Sequence, residues 1–273
     1  MTTHVHGTDK GILQAEAGKQ KFSLNRYQPS PDLALYIEHY WVVRWDLRGQ
    51  DPFRQVILSY PNVNISFEQE QQGIYAGVYG VPKKTYARLL QDTGIVFGVK
   101  FHPGGFYPFW KQPVSMLTGE ILSIQEAFGV ETTDMTQKMF AMEHGEDMIP
   151  LVEQFLRDRL PEPDEQVALI RRIVQAAITN KEILQVEDMA HTFGINKRTL
   201  QRLFNRYVGV SPKWVIGRYR LQEAAELMEK GGMPDWSKLS QDLGYYDQAH
   251  FIKTFKSMIG KSPEEYVKSL GEV

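Results

Sequence analysis

The chain has 273 residues, 42% of them hydrophobic and 23% charged, with a formal charge of −2 and no cysteine. That length suits two domains. The missing cysteines exclude disulfides, zinc fingers and thiol catalysis and fit a reducing cytoplasm. No apolar run is long enough to cross a bilayer. The polar start, residues 1–21, has no signal-peptide core and is expected to be a flexible tail.

Residues 22–101 read as mostly strand, within a β-rich domain placed at 22–111. A short helix is expected at Ser30-Pro31-Asp32, where serine caps and proline takes the first helical position. Val63-Asn64-Ile65-Ser66-Phe67 alternates with period two. In Ile95-Val96-Phe97-Gly98-Val99-Lys100-Phe101 the same alternation puts Ile95, Phe97, Val99 and Phe101 on one face. Asp92-Thr93-Gly94 reads as a hairpin turn between Leu89-Leu90 and Ile95-Val96. Several short strands with turn signals predict a β-barrel or sandwich.

Residues 112–160 change to helical spacing. Helices are expected over 123–128, 134–143 and 146–159, with Gly145 separating the last two. Methionines crowd this stretch, from Met116 through Met135, Met139 and Met142 to Met148. They suit a local core or a dimer interface equally. The prolines of Leu160-Pro161-Glu162-Pro163-Asp164 mark a linker, placed at 161–165.

From 166 to 273 the chain reads as all helix, beginning on Val167, Ile170, Ile173 and Val174, and it repeats itself. Met189-Ala190-His191-Thr192-Phe193-Gly194 is echoed by Leu239-Ser240-Gln241-Asp242-Leu243-Gly244, fifty positions on. Leu200, Phe204, Gly209, Ser211 and Pro212 recur fifty-one positions on as Phe251, Phe255, Gly260, Ser262 and Pro263. The one-residue slip falls in the loop after the glycine. The fold class expected is therefore α+β: a β-rich unit with a helical hairpin, then two helix–turn–helix units. The helix from Ser211-Pro212 to about Lys230, stopped by Gly231-Gly232, joins them. At about 28 Å it approaches the roughly 34 Å between successive major-groove faces.

Charge supports a nucleic-acid partner locally, although not overall. No acidic residue lies between Asp188 and Glu223, while Lys197, Arg198, Arg202, Arg206, Lys213, Arg218 and Arg220 do. None lies between Asp247 and Glu264 either, a span that holds Lys253, Lys256 and Lys261. In the first copy Asn196 caps a helix whose Leu200, Leu203, Phe204 and Tyr207 form an apolar stripe. Lys197, Arg198, Gln201, Arg202 and Asn205 fall on the other face. Arg198 and Arg202 can fork onto guanine, Gln201 can pair with adenine, and Arg206 is placed on phosphate. In the second copy the corresponding positions are Gln248, Ala249, Ile252, Lys253 and Lys256, capped by Asp247. His250 is a candidate for a phosphate contact or a packing role. Ala249 and Ile252 suit thymine methyls, so the second helix is expected to read less sequence.

These residues resemble the DNA-binding domain of the AraC/XylS family of bacterial transcription regulators. The resemblance rests on Gly194-Ile195-Asn196, Leu200-Gln201-Arg202-Leu203-Phe204, Gly209-Val210-Ser211-Pro212, Leu243-Gly244-Tyr245, Asp247-Gln248-Ala249-His250-Phe251 and Gly260-Lys261-Ser262-Pro263-Glu264-Glu265-Tyr266. It implies a domain of seven helices that binds promoter DNA, with RNA polymerase as a further partner if the protein is an activator. Ile252 and Lys253 depart from the family pattern. Tyr40-Trp41, Gly77-x-x-Gly-Val-Pro82 and Val99-Lys100-Phe101-His102-Pro103-Gly104-Gly105 resemble, more distantly, a domain found before such modules.

Aromatic residues concentrate in 22–110, and small-molecule sites favour aromatic walls. Tyr40, Trp41, Trp45, Tyr75, Tyr79, Phe97, Phe101 and Trp110 are the candidates for binding an apolar or aromatic effector, with core packing as the competing role for each. One alternative is a constitutive regulator whose first domain only makes a homodimer. Another is a barrel enzyme, with or without a metal, but His39 and His102 stand apart from each other in sequence. His4-x-His6 lies in the tail, and no catalytic triad or phosphate loop is evident. No enzyme activity, cofactor, metal or membrane partner is expected.

Overall fold

The computed structural model describes residue 18 and residues 20–57, 60–229 and 235–270. The tail expectation for residues 1–17, His4-x-His6 included, and the Gly231-Gly232 stop lie outside the described residues.

The first half is built from β1 (Ser23–Tyr27), β2 (Ile37–Asp46), β3 (Phe53–Ile57), β4 (Asn64–Glu70), β5 (Gly73–Tyr79), β6 (Tyr86–Leu90), β7 (Thr93–Phe101) and β8 (Ile121–Ser123). Six of these form one antiparallel sheet in the order β1-β2-β7-β4-β5-β8, and β3 pairs with β6 in a separate ribbon. The large sheet ends on β1 and β8 without closing, so of the expected barrel or sandwich the closed barrel does not form, and the open sheet is faced by a two-stranded ribbon. Because β6 pairs with β3, Asp92-Thr93-Gly94 is a crossing turn from ribbon to sheet and not a hairpin. The expected helix at Ser30 is a set of turns. Leu33 N–H donates to Ser30, and the Ser30 hydroxyl donates to Glu153 across the fold at 2.6 Å.

Alternation in β4 and β7 sorts the side chains as expected. Ile65, Phe67, Ile95, Phe97, Val99 and Phe101 are buried in the main core. Against that face pack α1 (Tyr107–Trp110), α2 (Ile124–Phe128), α3 (Thr133–Phe140) and α4 (Gly145–Arg157). Gly145 begins α4. A Cβ there would crowd Val42 and the Tyr27 hydroxyl, so the glycine allows the helix to approach the sheet. Met139 and Met148 are wholly buried in this core, while Met116 is 60% exposed.

The opposite face of the sheet is polar and glycine-bearing. Trp41 pairs in register with Gly98, and Trp45 with Gly94. A Cβ on either glycine would overlap the indole that lies across it. The glycines thus let two large rings lie flat on the sheet.

The second half comprises α5 (Glu165–Thr179), α6 (Val186–Thr192), α7 (Lys197–Leu203, continued by a π turn over Phe204–Val208), α8 (Pro212–Glu229), α9 (Trp236–Asp242), α10 (Gln248–Ile259) and α11 (Pro263–Leu270). The segment before α5 is pinned at its end. Asp164 caps α5 through the Gln166 N–H and accepts the Tyr207 hydroxyl at 2.7 Å. Val167, Ile170, Ile173 and Val174 are buried and join the same core cluster as the sheet.

Candidate DNA-binding surface and interdomain cavity

The two helix–turn–helix units superpose in chemistry as well as pattern. Gly194 (φ 62°) and Gly244 (φ 75°) both take the left-handed conformation that ends the first helix. Ile195 N–H donates to Ala190 at 3.0 Å, and Tyr245 N–H donates to Ser240 at 2.9 Å. Asn196 caps α7 by accepting the Thr199 N–H, and Asp247 caps α10 by accepting the His250 N–H. The extra residue of the second copy is Tyr246, 91% exposed in the loop. Leu200 and Phe251, then Phe204 and Phe255, are buried pairs that lock each second helix to its domain. Gly209 (φ 92°) and Gly260 (φ 90°) end them.

Lys197, Arg198, Gln201, Arg202, Asn205 and Arg206 are exposed, as are Gln248, Ala249, His250, Lys253 and Lys256. Lys197 pairs with Glu187 at 2.6 Å and Lys256 with Glu265 at 3.8 Å. Exposed pairs of this kind are worth roughly 0–1 kcal/mol, little enough to exchange for phosphate. Ile252 is half-buried and packs on the second core cluster, so only part of its side chain is exposed. His250 sets its ring edge-on to Tyr245, with centroids 5.4 Å apart.

Three of the arginines counted as basic surface have other work. Arg218 is completely buried, its guanidinium 4.0 Å over the Tyr60 ring and 4.7 Å over Tyr219. Arg220 is 3% exposed and donates to the carbonyls of Asn180 and Ile183, both at 2.9 Å, tying α8 to the loop after α5. Arg206 donates to the Tyr107 hydroxyl and stacks on that ring at 4.6 Å. Its partner is therefore the first domain, where a phosphate contact was expected.

That contact belongs to a larger bracket. The Thr118 hydroxyl donates to the Gly209 carbonyl at 2.6 Å, at the end of the first recognition helix. At the equivalent end of the second, Thr85 N–H donates to Met258 at 3.0 Å and the Thr85 hydroxyl to Ile259 at 3.3 Å. The two loops are themselves joined. Gly80 N–H donates to Glu120 and Gly119 N–H donates to Val81. Gly80 runs so close to the Leu117 carbonyl that no side chain fits there.

Behind the bracket lies a cavity of about 1100 Å³. Its floor is the polar face of the sheet, with Trp41, Val43, Asn64, Ser66, Glu68, Val96 and Lys100. Tyr86, Arg88 and Leu90 of the ribbon form one wall. The DNA-binding half closes it with Arg171 and Lys181, and with Tyr219, Gln222, Glu223 and Glu226 of α8. Tyr86 and Gly119, which follow the two bracket threonines in the chain, also line it.

Of the eight aromatic candidates, only Trp41 and Tyr79 line this cavity. Tyr40, Phe97 and Phe101 are wholly buried on the opposite face of the sheet, among the helices. Trp45 belongs to a small cluster with Leu47, Leu90 and Val96, Trp110 packs on Phe106, and Tyr75 is 42% exposed. Aromatic content finds rings but not faces. A better signal was the polar set that alternates with the core set in β4 and β7, Asn64, Ser66, Glu68 and Lys100. An inward polar face needs something to meet it.

The charges on the floor are matched. Glu38 accepts from Lys100 at 3.0 Å and from the Asn62 amide at 3.2 Å. Burial works to raise the Glu38 carboxyl, but Lys100 and His39 outweigh it and hold it below its ordinary value. Glu68 accepts from Ser66, Tyr79 and Arg88 at 2.7–2.8 Å, and Arg88 also reaches Glu70. His39 and His102 are pushed down to about 4, first by burial and then by Lys100 and Arg171 respectively, so both imidazoles are neutral at pH 7.

Two family models match separate parts of the chain. Residues 189–269 match a helix–turn–helix domain family, and residues 25–123 match a domain of unknown function, DUF6597. An uncharacterized HTH-type transcriptional regulator of Haemophilus influenzae is 32% identical over 85 residues, 31% of this chain and 28% of that protein. The Msm operon regulatory protein of Streptococcus mutans is 22% identical over 160 residues, 57% of this chain and 56% of its own length. The aligned region thus spans less than two thirds of either relative. Among solved structures, ToxT of Vibrio cholerae is similar over 91% of this chain and 98% of its own, at 12% identity and a TM-score of 0.38. The C-terminal domain of AraT from Geobacillus stearothermophilus matches 36% of this chain and 83% of its own, at 25% identity and a TM-score of 0.33.

Proposed function

We propose that this chain, whose C-terminal part is an AraC-type double helix–turn–helix domain, is a sequence-specific transcription regulator controlled by a small molecule. The observation that carries the DNA half is the exposed row on α7. Lys197, Arg198, Gln201, Arg202 and Asn205 project from a helix whose other side is locked by Leu200 and Phe204. That places bidentate donors where a major groove presents guanine and adenine edges. On α10, Gln248, Lys253 and Lys256 supply fewer such groups, so the first unit carries more of the sequence reading.

The effector half rests on the cavity. It lies between the domains, and two of its walls lead to a recognition helix: the ribbon through Thr85 to α10, the loop at Gly119 through Thr118 to α7. A ligand that prefers one spacing of these walls changes the spacing of the two helices, and DNA affinity follows from that difference. The role is non-enzymatic. The DNA partner is tested by selecting bound sequences from a random duplex pool with the full chain. Enrichment of no motif would overturn it.

A further inference from the structure

We infer that the interdomain cavity takes an uncharged ligand with a flat apolar body and a hydrogen-bonding group, in preference to an anion or a cation of the same shape. This rests on the reading of the cavity as the effector site.

Most of the buried wall charges are already paired with one another. Glu38 is paired with Lys100, and Arg88 with Glu68 and Glu70. On the lid, Glu223 is paired with Lys181 at 3.2 Å and with Arg220 at 3.1 Å, and Glu226 accepts from the Gln222 amide at 2.7 Å, whose oxygen in turn accepts from the buried Arg218. The remaining lining charges are Arg26, which is half-buried and already engaged, and Arg171 and Glu120, which are exposed. An ionised ligand inside would give up its hydration and find no counter-charge without breaking one of these pairs. Breaking the Glu38–Lys100 or the Glu68–Arg88 pair leaves a largely buried charge uncompensated. The polar groups still available on the floor are neutral. Among the described residues the Asn64 side-chain amide has no hydrogen-bond partner, and the His102 imidazole is uncharged at pH 7. The Trp41 indole, flat over Gly98, and beside it Val43 and Val96 offer a planar apolar surface. Sites with that composition, apolar walls and a few directed polar groups, bind compact amphipathic molecules.

The test uses the full chain and three probes of one shape: naphthylacetamide, naphthylacetate and naphthylethylammonium, titrated calorimetrically at pH 7. The amide is expected to bind at least ~10-fold more tightly than either ion, a difference of about 1.4 kcal/mol. Its affinity is expected to fall in both Asn64→Leu and Trp41→Leu, with folding of each variant checked by its melting curve. If Trp41→Leu fails to fold, Asn64→Leu decides. Tighter binding of the acetate or the ammonium, abolished in the same variants, would overturn the ligand class and leave effector control by this cavity standing. Amide binding that neither variant alters would place the probe elsewhere and overturn the inference. Absence of binding by all three would overturn the inference and leave effector control by this cavity standing.

Discussion

The guanidinium of Arg218, at the middle of the helix that joins the two DNA-binding units, lies 4.0 Å over the ring of Tyr60, which belongs to the sheet domain. Lys100 approaches the same ring to 4.3 Å. One tyrosine thus receives a cation from each domain, in surroundings that bury Arg218 completely. Burial pushes the Arg218 guanidinium down from its ordinary value, and Tyr60 and Tyr219 work against that. Desolvated cation–π contacts are worth about 2 kcal/mol. Arg218→Met, which keeps the stem and loses the charge, is expected to lower stability by roughly that amount. It should leave the preferred DNA sequence unchanged, because this arginine faces the cavity side and not the groove. Chemical denaturation together with sequence selection on the variant checks both halves of the expectation.

Arg202 and Arg206 lie one turn apart on the same segment and are expected to behave differently. Arg202 is exposed with no partner among the described residues, whereas Arg206 is held by Tyr107. Arg202→Ala should cost roughly 1–3 kcal/mol of specific binding and relax one base position. Arg206→Ala should leave base preference intact and loosen the contact between domains. Binding measured on a set of single-base operator variants separates the two. Unaltered discrimination in Arg202→Ala would remove that residue from the reading set.

Much of the second half was legible in the sequence because a repeat tests itself. Every glycine stop, cap and buried pair has its counterpart, and the expected one-residue slip is the exposed Tyr246. In the first half, period-two alternation found the core face of β4 and β7. It could not find strand partners. Asp92-Thr93-Gly94 carries hairpin chemistry, yet the strand before it pairs with β3, more than thirty residues earlier. Turn residues report local backbone needs, whereas pairing is decided by burial of whole faces. The cavity was hidden for the same reason, since its lid comes from α5 and α8. Arg218 and Arg220 show the converse error. Arg218 is buried under Tyr60 of the other domain, and Arg220 by the loop after α5 in its own.

Thr85 and Thr118 hold equivalent ends of the two recognition helices, and each hydroxyl donates to a backbone carbonyl. A hydrogen bond of this sort contributes about 0.5–1.5 kcal/mol net. Valine keeps the shape and removes the donor. The double variant Thr85→Val, Thr118→Val is expected to remain folded and bind DNA, but to tolerate a wider range of spacings between the two half-sites. Gel-shift affinities on operators with base pairs inserted between the half-sites measure this. An unchanged spacing preference would show that the bracket does not set the distance.

Glycine replacements offer a contrast of sign. At Gly98 a methyl would overlap the Trp41 indole, and the strand cannot retreat without leaving its register with β2 and β4. Gly98→Ala is expected to cost roughly 1–3 kcal/mol, the usual range for overpacking. Gly217, within α8, has nothing within 4 Å of the position a methyl would take. Gly217→Ala should stabilise by up to about 1 kcal/mol through helix propensity. Thermal melting of the two variants beside the parent gives both signs in one experiment.

Stability should also fall with acid well above the range where carboxylates usually titrate. His39 and His102 sit at about 4 in the folded chain against 6.5 for a free imidazole, chiefly because they are buried. The unfolded chain therefore binds their protons first as pH drops. Their contribution is complete above 6.5 and is lost progressively between 6.5 and about 4. Each pH unit that separates folded from unfolded titration is worth about 1.4 kcal/mol per histidine. Glu38 and Glu68, held below their ordinary value by Lys100 and Arg88 against the opposing effect of burial, add a further loss at lower pH. Replacing both histidines by glutamine, which stays neutral, should flatten the decline between pH 6.5 and 4 and leave the lower limb in place. Denaturation midpoints of parent and double variant across that range test it. A decline of the same steepness in both would assign the acid sensitivity to other groups.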